Sequence, residues 1–307
     1  MIEDSLPSDP HFRCGYVAII GAPNVGKSTL MNGLLKQKIS IVTQKPQTTR
    51  HRVLGILSED GYQVIFLDTP GIIKPKYALH GAMLSFASSA IEDADLLLFM
   101  IDAADPGTDA GGEGEEAFTH LEGLKKPVFL IINKVDLVEK RALLPIIDSY
   151  SRRYPFKEIF PISALKALGT TALLEAMVRA LPEHAPYYPP DILSDQHERF
   201  FVSEIIREKI FLKTREEVPY SATVEIIEFK EREGGKWFIS AEIYVERDSQ
   251  KGILIGTKGA RLREIGRLAR VDIERFLEHP VFLELHIKVR EKWRDDEKWL
   301  KRFGYIS

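Results

Sequence analysis

Gly21-Ala22-Pro23-Asn24-Val25-Gly26-Lys27-Ser28-Thr29 sets two glycines, a lysine and two hydroxyls within nine residues, in the pattern G-x-x-x-x-G-K-[ST]. The glycines let backbone N–H groups close around a phosphate at the positive end of a helix. Lys27 then reaches the β- and γ-phosphates, and the Ser28 hydroxyl serves as a ligand for Mg²⁺. The apolar run Tyr16-Val17-Ala18-Ile19-Ile20 before it predicts a buried strand, and Leu30-Met31-Asn32-Gly33-Leu34-Leu35 after it predicts a helix, so the stretch is a P-loop. A bare strand-to-helix turn explains the glycines. It does not explain why a lysine and a serine point into the same concavity.

Three later apolar runs also end on polar motifs. Asp68-Thr69-Pro70-Gly71 follows Leu67, with an Asp suited to hold Mg²⁺ through water and a Gly whose N–H meets a γ-phosphate. Asn133-Lys134-Val135-Asp136 follows Ile132. The Asp136 carboxylate accepts two hydrogen bonds from guanine N1–H and its exocyclic amine, which adenine cannot donate. Asn133 supports that loop and the Lys134 stem covers the base. Ser163-Ala164-Leu165 follows Ile162, and its backbone N–H faces guanine O6. Each alone could be a surface turn or a helix cap; in this order, each at a strand end, they read as one guanine-nucleotide site.

The elements that position these motifs alternate. Val53–Leu57 and Tyr62–Leu67 flank Glu59-Asp60-Gly61, an Asp-Gly hairpin signal. Apolar strands recur at 96–101, 128–132 and 159–162, with helical patterns near 80–91, 113–123, 140–153 and 169–180. This predicts an α/β domain with a largely parallel sheet covered on both faces and its ligand outside the carboxyl ends of the strands. Lys36 to Arg52, polar and rich in Thr and Gln, is expected to be a mobile loop.

Leu181-Pro182-Glu183-His184-Ala185-Pro186-Tyr187-Tyr188-Pro189-Pro190-Asp191 ends that alternation as a semi-rigid linker. The expected division is a nucleotide domain over 13–181, a linker over 182–196 and an α+β domain over 197–307. In the last, a helix near 197–213 precedes two strands, a helical pair, a strand and a final helix, giving a small sheet with helices on one face. Ile239, Ala241, Ile243 and Val245 face one way and Ser240, Glu242, Tyr244 and Glu246 the other; Val281 to Val289 repeat the period of two. Between the paired helices lies Gly256-Thr257-Lys258-Gly259, followed by an amphipathic helix with Leu262, Ile265, Leu268, Ile273 and Phe276 inward. That G-x-x-G turn, with Arg261 and Arg263 beside it, looks like the loop with which a KH domain lets its backbone approach the sugar-phosphate chain of about four nucleotides.

Composition bounds the partners. The 307 residues are 44% hydrophobic and 28% charged, enough for two globular cores. Residues 1–195 carry 19 Lys+Arg against 24 Asp+Glu, whereas 196–307 carry 23 against 21. The second part is only mildly basic, but 251–275 concentrates seven basic residues against three acidic ones, which suits a nucleic-acid surface. The acidic start, Met1 to Pro7, has no apolar core of a signal peptide, and no run approaches a membrane span. A single cysteine, Cys14, suits a reducing compartment.

Taken together, Gly21 to Thr29, Gln47-Thr48-Thr49-Arg50-His51, Asp68 to Gly71, Asn133 to Asp136 and Ser163 to Leu165 resemble the five motifs of the translation-factor-related GTPases. Ile72-Ile73-Lys74-Pro75-Lys76 and the C-terminal part narrow the resemblance, over about residues 13 to 303, to the Era family of bacterial ribosome-assembly GTPases. The resemblance implies GTP hydrolysis with Mg²⁺, with Lys27, Thr49 and Gly71 at the reacting phosphate. Thr49, or less favoured Thr48, becomes the switch I threonine, and 36–52 and 71–84 the two switches. It further implies binding to the 3′ region of 16S ribosomal RNA, action in assembly of the 30S subunit, a monomer in the cytoplasm, and a peripheral membrane association that the sequence itself does not show. Ile72 stands where many GTPases carry a water-orienting Gln. In relatives with Asn at the place of Asn24, a K⁺ ion beside the phosphates supplies charge. Asn24 is therefore either a K⁺ ligand or a turn residue tolerating an unusual φ. The competing reading is a signalling switch whose C-terminal domain binds protein or membrane partners. An ATP-using kinase or motor is opposed by Asp136.

Overall fold

The computed structural model describes residues 11–306 apart from 44 and 108–112, so the acidic start lies outside it. The chain forms two compact units. The first holds the chain through Ser40, Thr49–Pro75 and Met83–Asp195; the second holds Ile41–Thr48, Lys76–Ala82 and the chain from Gln196 onward.

In the first unit the chain runs through β1 (Arg13–Ile20), α1 (Lys27–Leu35), β2 (Val53–Glu59) and β3 (Tyr62–Asp68), then α2 (Ala78–Asp93), whose opening residues belong to the second unit. It continues through β4 (Leu96–Asp102), α3 (Glu113–Thr119), β5 (Val128–Asn133), α4 (Leu143–Arg153), β6 (Glu158–Pro161) and α5 (Thr170–Ala180). The six strands lie in the order β2-β3-β1-β4-β5-β6, parallel except for β2. Asp60 and Gly61 close the β2–β3 hairpin as expected, with Glu59 opposite Tyr62. Val17 to Ile20, Leu96 to Met100 and Val128 to Ile132 are all but completely buried, the continuous apolar run of strands covered on both faces. β1 sits between β3 and β4, so the chain leaves it in opposite directions and a crevice opens at its carboxyl end, above Ile20.

The stretch read as a linker is instead laid along this unit as far as Asp195. Cys14 N–H donates to the Pro182 carbonyl (3.1 Å) and His184 N–H to that of Phe12 (3.0 Å), beside the start of β1 where β4 does not reach. Ile56 N–H of the edge strand β2 donates to Leu193 (2.8 Å). A proline-rich chain has few N–H donors of its own but keeps its carbonyls, and here they satisfy strand groups that would otherwise be unpaired.

In the second unit α6 (Glu198–Lys213), the short α7 (Val218–Ser221), β7 (Thr223–Lys230), β8 (Trp237–Val245), α8 (Asp248–Ile255), α9 (Ala260–Phe276), β9 (Val281–Val289) and α10 (Glu297–Arg302) follow in turn. β8 pairs antiparallel with β7 and parallel with β9. Ile239, Ala241, Ile243 and Val245 meet Val202, Ile206, Ile210, Ile265 and Ile273 in one core. Two details differ from expectation. Ala269, not Leu268, is the fully buried residue in the middle of α9. The outer sheet face is also covered at one end: Tyr244 is buried under Trp299 and Phe303 (ring centroids 5.4 and 5.0 Å), so the helices do not all lie on one side. Ile41–Thr48 packs along α6, where Arg207 donates to the Thr48 carbonyl (2.5 Å) and the Lys45 ammonium bonds the carbonyls of Phe211 and Thr214 at the helix end.

Candidate functional site

The P-loop follows β1 as expected. A Cβ on Gly26, which has φ of 105°, would lie 2.3 Å from Asn133 Nδ2, so only glycine lets the turn pass that side chain. α1 starts at Lys27 and turns its first N–H groups toward the loop. Lys27 is buried and its ammonium donates to the carbonyls of Gly21 (3.1 Å) and Ala22 (2.9 Å), which holds it inside the concavity it would share with phosphate. Asn24 is exposed with φ of 62°, the left-handed conformation of a turn residue. Thr29 follows Ser28 within α1.

Three oxygen side chains from three segments converge beside that loop. Ser28 Oγ lies 2.9 Å from Thr49 Oγ1 and donates to Asp68 Oδ2 at 2.6 Å. Of the two threonines, Thr49 is the one that faces Ser28; the Thr48 hydroxyl is engaged with Thr43 and the Lys45 carbonyl. Asp68 is fully buried, and its Oδ1 has no hydrogen-bond partner among the described residues. Burial raises its carboxyl above the ordinary range, with the Ser28 hydrogen bond and the Lys27 charge opposing. An unsatisfied buried carboxylate oxygen beside two hydroxyls is a set of hard oxygen donors, and it fits Mg²⁺, which keeps several waters and takes few protein ligands. Gly71 closes the other side. A Cβ there would lie 2.8 Å from the backbone of Pro23, so the third motif can approach the P-loop only as glycine. Ile72 turns its side chain fully into the core while its N–H donates to the Gly21 carbonyl (3.2 Å), so it takes no part in orienting water.

At the far end of the crevice Asn133 ties two motifs together. Its Nδ2 donates to the Val25 carbonyl (2.7 Å) and its Oδ1 accepts from Ala164 N–H (2.9 Å). Within Ser163-Ala164-Leu165, Ser163 N–H donates to the Leu168 carbonyl and Ala164 N–H to Asn133 Oδ1, so the segment is fixed against the Asn133 motif. The Leu165 side chain is 81% exposed at the lip of the site. Asp136 faces the Lys166 ammonium (3.2 Å), and its carboxyl is held below the ordinary range by the Ser163 hydroxyl first and Lys166 after it. Lys134 takes a left-handed turn (φ 64°) and bonds Asp102 Oδ2 at 2.5 Å. Asp102 is a residue that motif reasoning missed, because its only local mark is that it ends a strand.

In the second unit Gly256 (φ 68°), Lys258 (φ 51°) and Gly259 (φ 76°) fold the G-x-x-G segment into a tight turn between α8 and α9, with Thr257 and Lys258 exposed at its tip. Arg261 and Arg263, expected at phosphates, also brace the turn. Arg261 Nη1 donates to the Ile253 carbonyl (2.6 Å) and Arg263 Nη1 to that of Lys258 (2.8 Å). Each guanidinium keeps further donors for an anion.

Comparison with known proteins agrees with this division. Residues 16–134 match the family model described as 50S ribosome-binding GTPase, and residues 217–294 match that of the KH domain. GTPase Era of Geobacter metallireducens is 52% identical over 299 residues, covering 97% of this chain and 99% of that protein. GTPase Era of Clostridium botulinum is 45% identical over 294 residues, covering 96% and 98%. Two solved structures superpose over nearly the whole chain, both at 43% identity. One is an Aquifex aeolicus Era variant bound to GDP and AlF4⁻ (TM-score 0.92, 96% of this chain, 100% of that one). The other is Era in complex with MgGDPNP and nucleotides 1506–1542 of 16S ribosomal RNA (TM-score 0.93, 97% and 100%).

Proposed function

The chain belongs to the GTPase Era family, and from that premise we propose that it hydrolyses GTP in the crevice above β1 and binds the 3′ region of 16S ribosomal RNA through its KH domain during assembly of the 30S subunit. The observation that carries the nucleotide half is the convergence of Ser28, Thr49 and Asp68 beside the P-loop, with Asn133 joining the P-loop to the Asp136 and Ser163 motifs. Lys27 and the loop N–H groups hold the phosphates. Ser28, Thr49 and Asp68 would hold Mg²⁺, which would supply positive charge against the negative charge of the phosphates. The Gly71 N–H meets the γ-phosphate, and Asp136 selects guanine. In the KH domain the exposed Thr257-Lys258 tip supports backbone contact with a single strand, with Arg261 and Arg263 beside it.

The proposed setting is the cytoplasm, with the protein acting as a monomer on the subunit. Among the described residues no helix is long and apolar enough to cross a membrane. A peripheral membrane association rests on family resemblance alone.

Replacing Thr257 and Lys258 together by Asp brings two carboxylates against RNA phosphates. A labelled oligonucleotide of the 16S 3′ sequence is expected to bind the parent and not this variant, while hydrolysis without RNA is unchanged. Lys258→Ala is expected to weaken all sequences alike and to lower the salt slope by about 0.7. Parent affinity in the folded double variant would transfer the C-terminal domain to the protein-binding reading.

A further inference from the structure

Asp102 ends β4, and the strand register sets it directly opposite Asn133, the residue before Lys134. Both of its carboxylate oxygens are engaged. Oδ1 accepts from Ala104 N–H (2.9 Å), which fixes the carboxylate against its own turn, and Oδ2 accepts from Lys134 Nζ (2.5 Å). The two side chains are 17% and 31% exposed, so the pair is partly shielded from water. Lys134 is held at its other end too. Its backbone is left-handed (φ 64°, ψ 33°) at the start of the turn Val135–Leu137, and Ala103 N–H donates to the Asn133 carbonyl just before it (2.8 Å). The four-carbon stem is therefore stretched from β5 across to β4, the strand next to the one that carries the P-loop. A free lysine stem loses much rotamer freedom when it packs against a ligand. A stem already tied at both ends has made that loss during folding, and its binding is stronger for it.

We propose that Asp102 is a positioning residue for nucleotide binding: it holds the Lys134 stem in place as a preformed platform against one face of the guanine, and so lengthens nucleotide residence without taking part in base choice. The proposal rests on the reading that the Asn133–Asp136 loop receives guanine. Its competitor is a local role, in which Asp102 does nothing beyond closing its own turn through Ala104 N–H.

Asp102→Asn separates the two, because the amide oxygen still accepts from Ala104 N–H while the charge that holds the ammonium is gone. Lys134→Met is the partner variant; it keeps a long apolar stem and removes the ammonium. Release of a fluorescent GDP from the full-length protein is measured for the parent, both single variants and the double. Asp102→Asn is expected to speed release about tenfold, the size of one lost charge-assisted hydrogen bond. The double variant is expected to release no faster than the faster single, since both changes break the same contact. The preference for guanine over xanthine nucleotides is expected to be unchanged in Asp102→Asn. Release at the parent rate in Asp102→Asn, or single losses that multiply in the double, would overturn the proposal and leave Asp102 to its turn. The underlying guanine reading fails separately, if the parent binds GTP and ATP equally.

Discussion

Ser28 and Asp68, forty positions apart in the chain, meet hydroxyl to carboxylate at 2.6 Å, and the other Asp68 oxygen is buried with no hydrogen-bond partner among the described residues. Such a carboxylate is costly without a cation, because burial takes away its hydration and the Ser28 hydrogen bond and the Lys27 charge return only part of it. Asp68→Asn removes the charge and keeps the shape. The nucleotide-free variant is expected to melt at or above the parent temperature, while Mg²⁺-dependent hydrolysis falls by more than about a hundredfold. Retained Mg²⁺-dependent turnover would remove Asp68 from the metal site, and a lower melting temperature would mean that the fold prefers the charged form.

Asp136 carries the opposite perturbation. Its carboxyl is held below the ordinary range by the Ser163 hydroxyl first, so the native chain gives up that proton more readily than the unfolded one. Its contribution to stability is present above the unfolded value of 3.8 and is lost only as pH falls through the lower folded value. Its base-reading form is thus fully charged from pH 5 to 8, and guanine selectivity is expected to stay flat over that range. Asp136→Asn reverses the donor–acceptor pattern at the guanine edge and is expected to favour xanthosine triphosphate over GTP. Competition binding with the two nucleotides checks this, and an unchanged order of preference would withdraw the assignment.

These motifs are legible in sequence because each is a short run whose residue types answer to chemistry at a single strand end. Asn133, Asp136, Ser28 and Asp68 could each be named with a role before any fold was known. Asp102 could not. Its partner lies 32 residues away, and an aspartate ending a strand has no spacing that marks it. Tyr244 misled for a related reason: alternation along β8 tells which way a side chain points, but not that Trp299 and Phe303 later cover that face. Nor could sequence show that Asn133 Oδ1 accepts from Ala164 N–H, since the two residues are 31 positions apart.

Asn24 offers a test of the ion. Ile72 is buried in the core, so the attacking water is positioned by another group, and the exposed Asn24 lies on the P-loop. Hydrolysis is expected to run faster in K⁺ than in Na⁺ at matched ionic strength, with the difference lost in Asn24→Ala. Equal rates in both salts, with Asn24→Ala harmless, would leave Asn24 as a left-handed turn residue only.

Gln63 bears on stability rather than chemistry. The side chain is 1% exposed in β3, and each of its polar atoms is used. Oε1 accepts from Tyr187 N–H (2.9 Å), Tyr188 N–H (3.0 Å) and the Cys14 thiol (3.6 Å), while Nε2 donates to the Tyr188 carbonyl (2.8 Å) and Ser58 Oγ (3.0 Å). One amide thus anchors the proline-rich stretch to the first unit through two backbone N–H groups and one carbonyl. Leucine has similar volume and none of these bonds, so Gln63→Leu leaves the Tyr187 and Tyr188 backbone groups facing an apolar side chain. The cost is expected to be about 2–4 kcal/mol, the desolvation penalty of buried groups left unpaired. It should appear as a lower denaturation midpoint and as faster amide exchange at Tyr187 and Tyr188. Nucleotide affinity at 25 °C is expected to stay at the parent value, since Gln63 sits toward the amino end of β3 and the site lies beyond its carboxyl end at Asp68. If exchange at those two amides were as slow as in the parent, the proline-rich stretch would be held by its contacts with Phe12, Cys14 and Ile56, and Gln63 would be a satisfied core residue with no anchoring role.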